Sequence, residues 1–199
     1  MSRIPERESR FLAGVDEAGR GPLAGPIAVG AIFIKESALV KFRGILDSKK
    51  LSKAQRERWF SAIKAERKLG NLDFRVAFVG NKFIDEFGIS RAAKLAISRA
   101  LSRLNLPDST RILLDGLLFA PPRFIFQETV VRGDEIHRVI AMASIVAKVC
   151  RDKKMNRLSK KFPEYQLDKH KGYGTEFHRN TIRKNGVSPI HRISFLRGF

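Results

Sequence analysis

Cysteine is almost missing from this 199-residue chain, where Cys150 stands alone. One thiol excludes an internal disulfide framework and any cysteine-based zinc cluster, and it fits a reducing compartment. Glycine and proline, at 15 and 8, are too few for a fibrous or low-complexity chain, and a hydrophobic content of 43% is too high for a disordered one. No run approaches the ~18 consecutive apolar residues that would cross a bilayer. The first ten residues mix both charge signs around no apolar core, so neither a signal peptide nor an anchor is expected there. A cytoplasmic protein without membrane business is expected. Acidic residues are also scarce: 20 Asp and Glu face 39 Lys and Arg, a net charge of +19. Such an excess calls for a polyanion, because each neutralised phosphate releases condensed counterions.

No internal repeat, long linker or low-complexity tract is present, so solenoid and beads-on-a-string arrangements are excluded. Residues 151–199 carry 13 Lys and Arg against 4 Asp and Glu, together with three of the four His. The expected organisation is a flexible tail over 1–10, an α/β body over 11–158 and a basic helical part over 159–199 packed on that body.

Within the body, Phe11–Val15, Ile27–Ile34, Phe74–Val79, Arg111–Leu114 and Phe124–Val131 read as strands. Ser52-Lys-Ala-Gln55 is a capping-box sequence that opens a helix reaching Leu69. Apolar residues from Ile89 to Leu104 share one helical face before Pro107, and the longest helical signal runs from Ile136 to Leu158. In that last stretch Ile136, Val139, Ile140, Ala143, Ala147 and Cys150 form a stripe, and small residues would let it pack close to a sheet. The pattern predicts a mixed sheet flanked by helices.

The chemistry-bearing residues gather at strand ends. Asp16 and Glu17 close an apolar strand and precede the glycine-rich turn Gly19-Arg20-Gly21, which has neither the third glycine of a dinucleotide fingerprint nor the Gly-Lys-Ser/Thr of a P-loop. Asp115 likewise ends an apolar strand, and Asp134 precedes the long helix, where it could equally be an N-cap. Carboxylates brought together repel one another unless cations neutralise them, and hard oxygen ligands select Mg²⁺ or Mn²⁺. Two such ions form a clamp for displacement at phosphorus. An acidic centre on a basic chain therefore reads as a nuclease. The rival is a noncatalytic basic RNA-binding protein of ribosomal type, which has no need of acids at strand ends.

Other segments stay ambiguous on their residues alone. His170-Lys171-Gly172-Tyr173-Gly174 places a tyrosine between glycines, either to lie flat on a sugar or base or to anchor a turn. Asp47-Ser48-Lys49-Lys50 is a phosphate-contacting loop, a solvated helix lead-in or a Ser-Lys nucleophilic pair. His170, His178 and His191 lack metal-ligand spacing and are expected to contact phosphate or cap helices.

Taken together, Gly14-Val-Asp-Glu-Ala-Gly-Arg-Gly-Pro-Leu-Ala-Gly-Pro26, Asp47-Ser-Lys-Lys-Leu-Ser52, Leu113-Leu-Asp-Gly116, Gly133-Asp134, Ala143–Asp152, His170–Thr175 and Ser188-Pro-Ile-His-Arg192 make the chain resemble the bacterial ribonuclease HII family. The resemblance spans nearly the whole sequence. It implies a ribonuclease H-like mixed five-stranded sheet with a C-terminal helical basic extension. It also implies cleavage of RNA in RNA/DNA hybrids and at ribonucleotides embedded in duplex DNA, by a monomer using two divalent ions. On this resemblance Asp16, Glu17, Asp115 and Asp134 are the metal-binding acids. Gly19, Arg20 and Gly21 address the ribose 2′-hydroxyl and nearby phosphate, and Tyr173 stacks on the following deoxyribose. Lys49, Lys50, His170 and Lys171 are the further substrate-binding candidates. One departure stands out: the family often has Asn-Ile-x-x-Ala-Thr where this chain has Gly88-Ile-Ser-Arg-Ala-Ala93.

Overall fold

A computed structural model describes residues 11–45 and 48–197; the expected tail at 1–10 and Asp47 lie outside the described residues. Five strands form one mixed sheet in the order β3-β2-β1-β4-β5. β1 (Phe11–Ala18), β2 (Ile27–Lys35) and β3 (Leu72–Val79) make an antiparallel meander. β4 (Arg111–Asp115) and β5 (Gln127–Val130) run parallel to β1. β1 is thus the central strand, and its apolar run without regular polar alternation is what burial on both faces requires.

Period-two alternation sends neighbours along β1 to opposite faces. Ala13 and Val15 join Val29, Ala31, Ile112 and Leu114 in one core layer, beneath helix α3 (Ile89–Leu101). Ile32, Ile34 and Leu113 face the other layer with the long helix α5 (Arg138–Ser159). Helix α1 (Lys53–Lys68) begins with the expected capping box, Ser52 accepting from the Gln55 N–H while the Gln55 side chain accepts from the Ser52 N–H. The short α2 (Asn81–Phe87), which has no clear periodic signal, precedes α3 (Ile89–Leu101). Gly88 joins them at φ 83°, ψ 160°, a conformation a side chain resists, which gives a backbone reason for glycine where the family often has asparagine.

The long helical signal divides. A single turn, α4 (Gly133–Ile136), is separated by His137 from α5 (Arg138–Ser159). Ile136, expected on the buried stripe, is 65% exposed because it ends the separate turn. α5 lies very close to the sheet. A Cβ on Gly14 would overlap the Val139 carbonyl, and one on Gly30 would lie 2.5 Å from the Ala143 carbonyl oxygen. The small helix residues therefore have bare-strand counterparts.

Beyond α5 the chain forms α6 (Leu167–His170) and α7 (Glu176–Asn185) with short 3₁₀ turns at Pro163–Tyr165 and Ile193–Phe195. A small third cluster, including Leu23, Met155, Tyr165, Leu167 and Ile182, packs this part against the turn after β1. Among the described residues no helix is long and apolar enough to cross a membrane.

Candidate active site

The register explains how distant acids meet. Val15 pairs with Leu114 across the parallel β1–β4 ladder, so the next residues, Asp16 two places before the end of β1 and Asp115 at the end of β4, lie side by side on the same face. Asp134 arrives on α4, after Arg132 in the left-handed region at φ 54° and with the Gly133 N–H donating to Asp115 Oδ1 at 2.7 Å. One oxygen from each of Asp16, Asp115 and Asp134 lies within 4.8 Å of the others. Asp134 is the second residue of a one-turn helix, so it is not the N-cap that sequence allowed. Its neighbour Glu135 pairs with Lys50 at 2.9 Å, and Asp152 pairs with Lys148 at 2.9 Å.

Glu17 stands beside this trio. Alternation points it toward the α3 face, where it lines a cleft of 410 Å³ with Arg20, Ser90, Ala93, Lys94, Ile97 and Asp115. Arg20 Nη1 lies 3.7 Å from Glu17 Oε1, and Arg20 Nη2 donates to Ser90 Oγ at 3.2 Å. Burial holds the Asp16 carboxyl well above the usual carboxylate range, and the charges of Glu17 and Asp115 push the same way. A Ser144 hydrogen bond and the Glu17 N–H, 2.7 Å from Asp16 Oδ1, oppose that shift. Glu17 is also raised, by burial first and by Asp115, against the pull of Arg20 and Lys49.

Desolvated carboxylates that repel one another are costly in a bare protein and are what a hard divalent cation would stabilise. The donor set fits Mg²⁺ or Mn²⁺. A noncatalytic RNA-binding scaffold would gain nothing from burying them.

Lys49 Nζ, largely exposed, lies 3.4 Å from Asp134 Oδ2. Ser48 is buried and shares a 2.8 Å hydrogen bond with Ser144, which removes the Ser-Lys nucleophile: its hydroxyl faces the core. The histidines commit ring nitrogens to partners within the fold. His178 and His191 are buried, with their Nε2 atoms 3.1 Å apart, while His178 Nδ1 donates to the Tyr173 carbonyl and His191 Nδ1 accepts from the Ser188 N–H. His170 stacks on His178 at 4.3 Å and commits both ring nitrogens, donating to the Tyr165 carbonyl and accepting from the Gly172 N–H. Lys171 donates to Asn156 Oδ1 and to the Asp168 carbonyl.

Tyr173 remains 44% exposed, beside the glycine turn, because the Leu23 N–H donates to the Gly172 carbonyl at 2.8 Å. Gly172 is at φ 85°, and a Cβ there would lie 2.5 Å from the Ala24 carbonyl oxygen. Gly21 is open, with nothing within 4 Å of a Cβ. Gly19 is different: its φ is +88°, and the place of its missing side chain is filled by the Arg151 guanidinium.

Two functional candidates escaped the sequence reading: Arg151 and Arg192, both 0% exposed. Arg151 donates to the carbonyls of Pro26, Lys171 and Ala24 at 3.0, 3.0 and 3.4 Å. Arg192 donates to those of Gly25, Arg20 and Gly19 at 2.9, 2.8 and 2.7 Å. Arginine normally signals surface, so only their place within the family-like motifs marked them.

Solved structures share this architecture. The crystal structure of the ribonuclease H2 from Pyrococcus horikoshii OT3 aligns with a TM-score of 0.74 at 29% identity, covering 94% of this chain and 96% of that one. Bst-RNase HIII in complex with Mn²⁺ aligns at 0.67 and 20% identity over 96% of this chain and 66% of that one, a likeness of fold alone. Fold and carboxylate cluster together define a ribonuclease of the ribonuclease H class. The family model described as Ribonuclease HII matches residues 13–197. The Ribonuclease HII of Ruminiclostridium cellulolyticum is 43% identical over 189 residues, 95% of this chain and 71% of that protein. The chain belongs to the ribonuclease HII family of endoribonucleases.

Proposed function

We propose that the protein hydrolyses the RNA strand of RNA/DNA hybrids and cuts on the 5′ side of ribonucleotides embedded in duplex DNA, leaving 3′-hydroxyl and 5′-phosphate ends. The observation that carries this reading is the carboxylate trio of Asp16 on β1, Asp115 at the end of β4 and Asp134 on α4, within 4.8 Å of one another and next to an open glycine turn. These three, with Glu17 alongside, would hold two divalent ions, Mg²⁺ or Mn²⁺. When bound, the ions supply an activated water and stabilise the leaving oxygen.

The chain's own residues do the selecting. The open backbone at Gly21 lets main-chain groups approach a 2′-hydroxyl, which only RNA offers as donor and acceptor. Arg20 reaches an adjacent phosphate with its fork, and the exposed Tyr173 ring stacks on the next sugar. Lys49, Lys50 and Lys171 add positive charge along the strand. The enzyme acts as a cytoplasmic monomer in this reading.

A duplex containing one ribonucleotide, incubated with Mg²⁺ or Mn²⁺ and mapped at both ends, tests the proposal. A 2′,3′-cyclic phosphate product or full activity in EDTA would refute it.

A further inference from the structure

We infer that Arg151 and Arg192 are positioning residues for sugar recognition: they aim the backbone donors of the Gly19-Arg20-Gly21 turn outward and fix that turn against Tyr173. The inference rests on the substrate reading proposed above, and it assigns a task to two side chains that touch neither metal nor substrate.

A trans peptide points its C=O and the following N–H in opposite directions. Arg192 Nη2 draws the Gly19 carbonyl inward and Nη1 draws the Arg20 carbonyl inward. The N–H groups of Arg20 and Gly21 must therefore face away from the buried guanidinium, toward the open side of the turn. Among the described residues no backbone acceptor takes either N–H. Two successive outward donors form a small concavity suited to a hydroxyl or phosphate oxygen. Without Arg192, both peptide planes are free to rotate.

Arg151 supplies the second constraint. It joins the turn, through Ala24 and Pro26, to the Lys171 carbonyl at the base of the tyrosine loop. Its guanidinium carbon also sits 6.0 Å from the centre of the Tyr173 ring, a cation–π distance. Glycine at position 19 admits this side chain, since a Cβ would overlap Arg151 Nε.

Main-chain carbonyls, rather than carboxylates, satisfy both guanidiniums. A buried cation stripped of its acceptors is strongly unfavourable, so the carbonyls cannot drift without exposing that penalty. The same two cations therefore hold the gap between turn and ring, and that gap decides whether a deoxyribose sits beyond the ribose.

Arg192→Lys and Arg151→Lys keep the charge but lose the fork. Each should lower kcat/KM at a single embedded ribonucleotide by about ten- to a hundredfold, the scale of an ångström-sized misplacement. The loss on an all-RNA strand in a hybrid should be much smaller, and the Mn²⁺ concentration giving half-maximal rate should not move, because the acids stay in place. In a Tyr173→Ala background, Arg151→Lys should reduce the single-ribonucleotide preference little further. Equal losses on both substrates, a shifted Mn²⁺ midpoint or full additivity would overturn the inference and leave the arginines as struts. So would failure of both lysine variants to fold at any temperature assayed. If Tyr173→Ala itself leaves the preference intact, the substrate reading fails. If Tyr173→Ala loses the preference while both folded lysine variants keep it, the arginine role alone fails.

Discussion

Replacing Gly30 by alanine tests the close approach that builds the site. Gly30 pairs with Asp16 across the β1–β2 ladder, so both face α5. A methyl group there would stand 2.5 Å from the Ala143 oxygen, 2.9 Å from the Ala147 nitrogen and 3.3 Å from the Ala147 Cβ. Comfortable contact needs about 3.5 Å or more, so α5 must lift by roughly 1 Å. Overpacking of this kind costs about 1–3 kcal/mol. At about 2–4 °C per kcal/mol for a domain this size, the melting temperature should fall by roughly 2–12 °C. The helix carries Ser144, whose hydroxyl serves Asp16 and Ser48, so kcat should fall as well, by up to about a hundredfold. Gly80→Ala is the control, with open space around the added carbon and an ordinary φ of −77°. Thermal melts and steady-state cleavage of a single-ribonucleotide duplex measure both effects. A Gly30→Ala enzyme with wild-type melting temperature and kcat would show that the helix is not held by the bare strand.

Asp115→Asn should abolish turnover while leaving duplex affinity equal or higher, since one negative charge near phosphate is removed; loss of folding would instead mark Asp115 as structural. Because Asp16 keeps its proton to higher pH in the fold than in the unfolded chain, the metal-free protein loses stability as pH rises from the ordinary carboxylate range toward the raised folded value. The stabilisation conferred by Mn²⁺ should therefore grow with pH over that window, and a pH-independent thermal shift would contradict this. Burial lowers the His178 pKa from 6.5 to about 4, so its contribution to stability is present above 6.5 and is lost as pH falls through that window to about 4. His178→Gln should flatten that decline in urea titrations. Binding to duplex should weaken with salt at a log–log slope of about −0.9 per neutralised phosphate, and a flat response would make the +19 charge incidental.

Much of the site was legible because it obeys local rules. Apolar runs stopping at Asp16 and Asp115 place Asp115 at the end of β4 and Asp16 two residues before the end of β1, and the Ser52 capping box marks its helix to within a residue. Even the division between Asp16 and Glu17 is implicit in strand alternation, although adjacency in sequence reads as one cluster. Asp134 was harder. Its approach depends on a left-handed Arg132 and on the Gly133–Asp115 hydrogen bond, and neither leaves a periodic signal. The buried arginines were illegible for a different reason: their type reports charge and solvation, whereas their role depends on main-chain carbonyls brought from elsewhere in the chain. The histidines bond main-chain groups three to five residues away and one another, a pattern that leaves no periodic signal.

Arg192 reaches back 173 residues to the Gly19 carbonyl and 172 to that of Arg20. At a synthesis rate of about 5–20 residues per second, roughly nine to thirty-five seconds separate the making of that turn from the making of the side chain that sets it. All three clustered acids have left the ribosomal catalytic centre well before then. A nascent chain thus carries its carboxylates while the nearby peptide planes still lack their guanidinium, and closing so long a loop is entropically the slow kind of contact. The order of synthesis makes the shape of the glycine turn one of the last features the enzyme acquires.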